Sequence, residues 1–488
     1  MNFEKNQKVI AEITDMGNDG EGIAKVDGYT LFIKDAVIGD RVEAVIMKAK
    51  KNFAYARLLT VLTPSKDRVE PRCPIARPCG GCQLQALSYE AQLRYKENKV
   101  KNHLERIGGL QNIPMEPIIA MDEPFHYRNK AQFPVGYDKE GRLITGFYAS
   151  RTHSIIDSRT CELGIPQNQP ILEIVLAFME EYHVTAYRAP APQEPQEARR
   201  GKRFRTPRHA EAAQRKSTAA ATIANAGLVR HILIRAGFKT GELMVCLVIN
   251  GRTLPHHEVL AERLRVIEGM TSIMLNHNME NTNVILGHEV TLLWGTPYIK
   301  DQIRDVTYQI SPLSFYQVNP VQTEKLYQKV ADLAALSGTE TVWDLYCGIG
   351  TISLFLAKDA GEVYGVEIIS QAIDDAKENA RINHIENAHF FVGKAEEVLP
   401  QKYAEEGVKA DVIVVDPPRK GCDEVLLDTI VKMRPKKVVY VSCDSATLAR
   451  DLKYLTGQGY EVEMVCPVDV FGETVHVETV VLLSLNNR

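Results

Sequence analysis

The sequence predicts an α/β chain of three parts: an N-terminal OB-type β-barrel, a central α+β domain and a C-terminal Rossmann-like, seven-stranded sheet. Three observations predict it. Residues 342–352, Val-Trp-Asp-Leu-Tyr-Cys-Gly-Ile-Gly-Thr-Ile, pass from an apolar β-rich run through a glycine turn into a helical pattern. From Tyr308 onward, strand-like and helical stretches alternate regularly. Between residues 7 and 62, five short β-rich runs are separated by glycine turns. The expected boundaries are 1–62, 63–305 and 306–488.

The 488 residues are enough for several cores. With 45% hydrophobic and 25% charged residues, the composition is that of a soluble globular protein. A net charge of −4 excludes a polycation, so any nucleic-acid contact must come from local basic patches. No uninterrupted apolar run could span a membrane, and the polar start Met1–Lys5 lacks a leader-like apolar region. A cytoplasmic monomer without a membrane partner is expected. Nine cysteines, an odd number, argue against a disulfide framework and turn attention to metal or catalysis.

In the barrel, the runs are Lys8–Ile13, Gly20–Val26, Tyr29–Ile33, Arg41–Lys48 and Phe53–Val61. Lys48, Lys50, Lys51 and Arg57 recur beside Phe53 and Tyr55. Such a mixture can follow a phosphate backbone and stack bases; a solvated strand face explains it equally well.

Next comes Arg72-Cys73-Pro-Ile-Ala-Arg-Pro-Cys79-Gly-Gly-Cys82-Gln, three thiols in ten residues with glycines that permit sharp turns. Cys161 is the nearest candidate for a fourth ligand. Four thiolates suit either zinc or an iron–sulfur cluster. Between Ser88 and Ile107 a helical period runs through Leu93, Lys96, Val100 and Leu104, stopped by Gly108-Gly109. The helix's other face is rich in lysine and arginine, a solvated face by default and an RNA contact by the sharper reading. It could pack on the C-terminal domain. Phe125-His126-Tyr127-Arg128-Asn129-Lys130 sets aromatics beside cations, as stacking on RNA would need. Residues 188–216 lose all apolar period and include Arg199-Arg200-Gly201-Lys202-Arg203, which reads as a basic mobile insertion able to act as an electrostatic arm.

In the C-terminal part, the glycines of 348 and 350 let a ligand approach the backbone, and Glu367 follows at roughly 20 residues, the distance of a ribose-binding carboxylate. Ser353 replaces the third glycine of the dinucleotide fingerprint, which favours S-adenosylmethionine over NAD. Two further strand-like runs end at Asp416-Pro-Pro-Arg419 and at Ser442-Cys443. Ligands of doubly wound sheets sit at the carboxyl ends of the strands, so Glu367, Asp416 and Cys443 converge on one crevice. The C5 of a pyrimidine ring is a weak nucleophile. A thiolate added at C6 makes it enolate-like, and a base must then remove the C5 proton. Cys443, with a helix predicted just after it, fits the nucleophile; a buried small hydrophobe is the plainer reading. Glu478 is a carboxylate inside an otherwise apolar strand and fits the base; a solvent-facing position is its plainer reading.

The pattern Gly-x-Gly-Ile-Ala-Lys, Gly-Asp-Arg-Val and Phe53-Ala-Tyr-Ala-Arg57 resembles the TRAM domain of RNA-modifying enzymes. The cysteine motif, Asp344-x-Tyr346-Cys-Gly-x-Gly, Asp416-Pro-Pro-Arg419, Ser442-Cys443-Asp444-Ser445 and His476-Val477-Glu478-Thr479 resemble the RNA uracil-5-methyltransferase family over the whole chain except the insertion. That resemblance implies Cys443 as nucleophile and Glu478 as base. It implies Gln317, Tyr346, Glu367 and Asp416 around S-adenosylmethionine, and a [4Fe–4S] cluster on Cys73, Cys79, Cys82 and Cys161. Asp444-Ser445 departs from the family's usual Asn-Pro and alters the helix start. The expected substrate is 23S ribosomal RNA, with transfer RNA the alternative. An RNA cytosine-5-methyltransferase would carry a second cysteine at Asp416-Pro-Pro, and Cys422 follows that loop. An amino-group methyltransferase would have an aromatic residue where Arg419 stands. A non-catalytic RNA-binding iron–sulfur protein would need neither Cys443 nor Glu478.

Overall fold

The computed structural model describes residues 3–188 and 226–486; the basic insertion expected at 188–216 lies outside these apart from Arg188. Two units are distinguished. The first joins Met1–Tyr127, Gln302–Gln309 and Ser314–Arg488; the second joins Arg128–Asp301 and Ile310–Leu313.

The first unit begins with strands β1 (Lys8–Glu12), β2 (Asp15–Met16), β3 (Gly22–Val26), β4 (Tyr29–Lys34), β5 (Arg41–Ala49) and β6 (Phe53–Thr63). They form one sheet in the order β1-β5-β6-β4-β3-β2. Inward and outward residues alternate along β1 and β6, so Ile13, Leu31, Ile33 and Ile46 close a small core. The sheet is the expected barrel, with one extra two-residue strand. The parallel pairing of β4 with β6 sets Phe32 beside Tyr55 and Lys34 beside Arg57 on the outer face.

Helix α1 (Tyr89–Arg106) follows. Its residues Val100 and Leu104 share a buried cluster with Trp343, Leu448, Leu452 and Leu455. Residues 63–127 therefore group with the C-terminal sheet, not with 128–301 as the boundary at 63 would have it. An amphipathic stripe says that one face is buried but not against what.

The second unit holds β7 (Lys130–Tyr137), β8 (Leu143–Tyr148), β9 (Ile155–Asp157), α2 (Asn168–Glu181), β10 (Val229–Ala236), β11 (Leu243–Ile249), α3 (His257–Leu264), β12 (Met270–His277) and β13 (Glu289–Gly295). Its seven strands run in the order β13-β12-β11-β10-β7-β8-β9. Strands β10 and β11 are buried along their whole lengths, with α2 and α3 in the same core. A hairpin of β14 (Ile299–Ile303) and β15 (Val306–Ile310) follows.

The C-terminal sheet is built from α4 (Pro320–Ala334), β16 (Thr341–Asp344), α5 (Thr351–Leu356), β17 (Glu362–Glu367), α6 (Ser370–Ile382), β18 (Ala388–Val392), α7 (Ala395–Glu406), β19 (Val412–Val415), α8 (Glu424–Met433), β20 (Lys437–Ser442), α9 (Ser445–Gly457), β21 (Tyr460–Val468) and β22 (Glu478–Leu485). The strand order is β18-β17-β16-β19-β20-β22-β21. The first five are parallel; β22 is antiparallel and lies between β20 and β21. Near-continuous apolar runs such as Val412–Val415 are what a sheet covered on both faces requires.

Candidate active site

Glu367, Asp416 and Cys443 sit where strands of this sheet end and the chain turns. β16 ends at Asp344, fully buried, whose Oδ2 accepts a 2.6 Å hydrogen bond from Ser353 Oγ. Burial pushes this carboxyl up to about 6, the Ser353 bond opposing. Its Oδ1 has no hydrogen-bond partner. The loop then turns through Gly348 and Gly350, both in the left-handed region (φ 54° and 82°). A Cβ at Gly348 would meet nothing within 4 Å, so that side of the loop is open. Glu367 ends β17, half-buried, its Oε1 accepting from the Ile369 amide at 3.0 Å. Ile368 and Ile369 beside it, with Val392 at the end of β18 and Phe315 before α4, are exposed apolar side chains. A buried orphan acceptor, an open glycine turn, a strand-end acid and exposed apolar residues suit a nucleoside-bearing ligand such as S-adenosylmethionine. Gln317, half-buried, lies in the segment leading to α4. Tyr346 is half-buried, and its hydroxyl is directed to Cys422.

Asp416 follows β19, and Cys443 follows β20. The antiparallel register ends at the pair Ser442 and Thr479, and Cys443 and Glu478 are the next residues along the two chains, near enough for Glu478 to raise the thiol. Glu478 in turn pairs with Val468 on β21. Glu478 is 4% exposed, which excludes a solvent-facing role. Burial first, and Asp416 second, raise its carboxyl to about 8, with Arg419 opposing; burial and Asp344 raise Asp416 to about 7. Glu478 is buried and Asp416 half-buried, and two carboxyls, one raised by the other, resist ionising together. Arg419, on the loop after Asp416, contacts His476 at 3.3 Å and accepts a bond from Thr447 Oγ1 at its carbonyl.

Cys443 differs from expectation in one respect. The free amides of α9 do not lower its thiol. Asp444 caps the helix, accepting from Ala446 and Thr447 at 2.9 and 3.2 Å, and so occupies the donors that a thiolate would use. Burial, Glu478 and Asp416 push the thiol up to about 12, with Arg419 opposing.

The cysteine motif lies in the first unit and Cys161 in the second; all four thiols are half-buried. Their donor chemistry suits a cluster, and Gly81 donates to Cys79 Sγ at 3.4 Å. Among the described residues, however, no three His, Cys, Asp or Glu side chains are gathered as a metal site. No helix among the described residues is long and apolar enough to cross a membrane.

Residues that the sequence reading left without a role converge here as well. Lys96, read only as part of the helical period, is fully buried against Asp469, whose place in the sequence carries no signal of such a pairing.

Comparison with known proteins shows the family. Residues 253–486 match the tRNA (uracil-5-)-methyltransferase family model, and residues 3–59 the TRAM domain. An uncharacterized RNA methyltransferase of Halalkalibacterium halodurans is 48% identical over 484 residues, 99% of this chain and 98% of that one. One of Clostridium tetani is 45% identical over 482 residues, 99% and 97% of the two chains. The crystal structure of Pyrococcus abyssi tRNA (uracil-54, C5)-methyltransferase with S-adenosyl-L-homocysteine is similar with TM-score 0.72 and 25% identity, over 97% of this chain and all of that one. The chain belongs to the S-adenosylmethionine-dependent RNA (uracil-5-)-methyltransferase family.

Proposed function

We propose that the protein methylates C5 of specific uridines in 23S ribosomal RNA, with Cys443 as nucleophile and Glu478 as general base. The observation that supports this reading is the antiparallel pairing of β22 with β20, at whose end a buried, weakly acidic carboxyl and a thiol influence each other beside Asp416.

The donor, when bound, supplies a methyl group on a positively charged sulfur. Asp344, Tyr346, Glu367, Gln317 and Asp416 are the residues that would hold it. The Cys443 thiol gives its proton to solvent water, which leaves Glu478 ionised for the later step, and Sγ bonds to C6. The C5–C6 π electrons move onto C5 and the adjoining carbonyl. C5 then bonds to the methyl carbon as the methyl–sulfur bond breaks, its electrons staying on that sulfur. Glu478 takes the C5 proton, the double bond re-forms, and Sγ leaves as thiolate. A base whose conjugate acid lies near 8 holds that proton well at neutral pH.

The outer face of the barrel, with Phe32, Phe53 and Tyr55 in mutual ring contact and Lys34 and Arg57 alongside, suits single-stranded RNA. The barrel together with the cysteine motif favours ribosomal RNA. Transfer RNA is the second reading, favoured by the similarity to an enzyme named for uracil-54 of tRNA. Mass mapping of both RNAs from a strain lacking this protein separates them. Loss of 5-methyluridine from 23S RNA alone is the expected result, and loss from tRNA alone overturns the ribosomal assignment.

Cys73, Cys79 and Cys82 are further proposed as ligands of a [4Fe–4S] cluster on their motif and donor chemistry. Protein purified without oxygen is expected to be brown, with iron and sulfide near four each per chain. Colourless protein with stoichiometric zinc would reject the cluster.

A further inference from the structure

We propose that one face of α1 is a positioning rail that holds the nucleophile and the base in register; this rests on the assignment of Cys443 and Glu478 above. Gln92, Lys96, Lys99 and His103 recur at helical spacing, so they line one face. Each grips the catalytic edge at a different point.

His103 Nδ1 lies 2.8 Å from Ser445 Oγ, two residues beyond Cys443. Two residues after α1, the close approach continues: a Cβ at Gly108 would lie 3.2 Å from the Ala449 carbonyl of α9. On the other side, Lys96 Nζ donates to Asp469 Oδ1 at 2.6 Å and to the Phe471 carbonyl at 3.0 Å, with both charged side chains fully buried. Asp469 directly follows Val468, the ladder partner of Glu478. Tyr89, at the start of the same helix, donates to Asp469 Oδ2 at 3.0 Å. Gln92 donates to Glu473 Oε2 and accepts from the Glu473 amide, both at 3.1 Å. Lys99 donates to the Val475 carbonyl at 3.0 Å.

Residues 469–476 thus form a strap between β21 and β22, with α1 bonded at Asp469, Phe471, Glu473 and Val475. A fold needs no buried ion pair to hold a helix on a sheet, since apolar packing does this at least as well. What directional bonds add is a fixed register, and here the register is that of Cys443 against Glu478. The same strap accepts bonds from the Gln83 and Leu84 amides at the Glu473 carbonyl, 3.0 and 3.1 Å, so the segment just after Cys82 shares the anchorage.

The test is the paired variant Lys96→Met with Asp469→Asn, which removes both charges and leaves no lone buried ion. The readouts are thermal melting, kcat, KM for RNA, and the fraction of enzyme trapped covalently on RNA. The expected variant is folded, keeps KM within about two-fold, loses on the order of 100-fold in kcat and accumulates adduct, because sulfur addition outruns proton removal. A kcat within about two-fold of wild type, or a loss of turnover without adduct, overturns the rail. Should the pair not fold, Tyr89→Phe decides: a roughly ten-fold lower kcat with adduct supports it, and an unchanged kcat overturns it. Glu478→Gln run alongside separates the two ideas. Normal turnover there sinks the base assignment itself, whereas a trapped adduct there with normal rail variants sinks only the rail.

Discussion

Cys443→Ala is expected to abolish methyl transfer to RNA and to leave the donor bound. Without the sulfur no adduct forms at C6, and C5 keeps the low nucleophilicity of an aromatic pyrimidine. A fall of on the order of 10⁴-fold or more is expected in kcat, about 5.5 kcal/mol of barrier. The residues assigned to the donor stand on other segments: Gln317 before α4, Tyr346 after β16, Glu367 at the end of β17. The truncation removes one half-buried sulfur, and the Asp444 cap on Ala446 and Thr447 stays in place. Equilibrium binding of S-adenosylmethionine should therefore match wild type, and RNA should show no covalent band on a denaturing gel. Turnover near wild type would reject the nucleophile.

Glu478→Gln should do the reverse: turnover falls by about a thousand-fold, and enzyme accumulates on RNA as a covalent adduct. The amide cannot take the C5 proton, so the methylated adduct cannot expel Sγ. A variant that turns over normally, or one that never forms adduct, argues against the base. The pH dependence carries a sign. As a base Glu478 acts ionised, so wild-type activity should rise with pH through the titration of the Asp416–Glu478 pair, between about 7 and 8. Stability runs the other way. A carboxyl raised on folding holds a proton that the unfolded chain has lost, so its contribution is full below the ordinary carboxylate range near 4 and disappears as pH climbs through the folded value. Glu478→Gln should thus melt higher than wild type at pH 8 to 9 and flatten the fall in melting temperature that wild type shows between about pH 4 and pH 8. A variant melting lower than wild type at the higher pH would contradict the burial argument.

Much of the site could be read before any fold was known, because its chemistry lies at positions that strand periodicity already marks. Asp416 and Cys443 end apolar runs, and parallel strands bring such ends to one edge. Glu478 was conspicuous as a charge among Val477, Thr479 and Val480, and its 4% exposure bears out that it is buried. The direction of the Cys443 shift was not readable. The helix that follows is there, but whether its amides face the thiol or a capping Asp444 is set by backbone angles at one residue.

From sequence alone come the strand–turn–helix at 342–352, the outer barrel face of Phe53, Tyr55 and Arg57, and the identities of the thiol and the carboxylate. These are local: a period, a turn or a residue type fixes them within a few neighbours. Only the tertiary structure decided that α1 belongs with the C-terminal sheet, that β22 enters antiparallel beside β20, and that Lys96 is buried on Asp469, 373 residues away. A lysine at a half-apolar helical position looks the same whether its ammonium reaches water or a distant carboxylate. That choice rests on which surface the helix packs against, and chain-distant burial, not local preference, sets it.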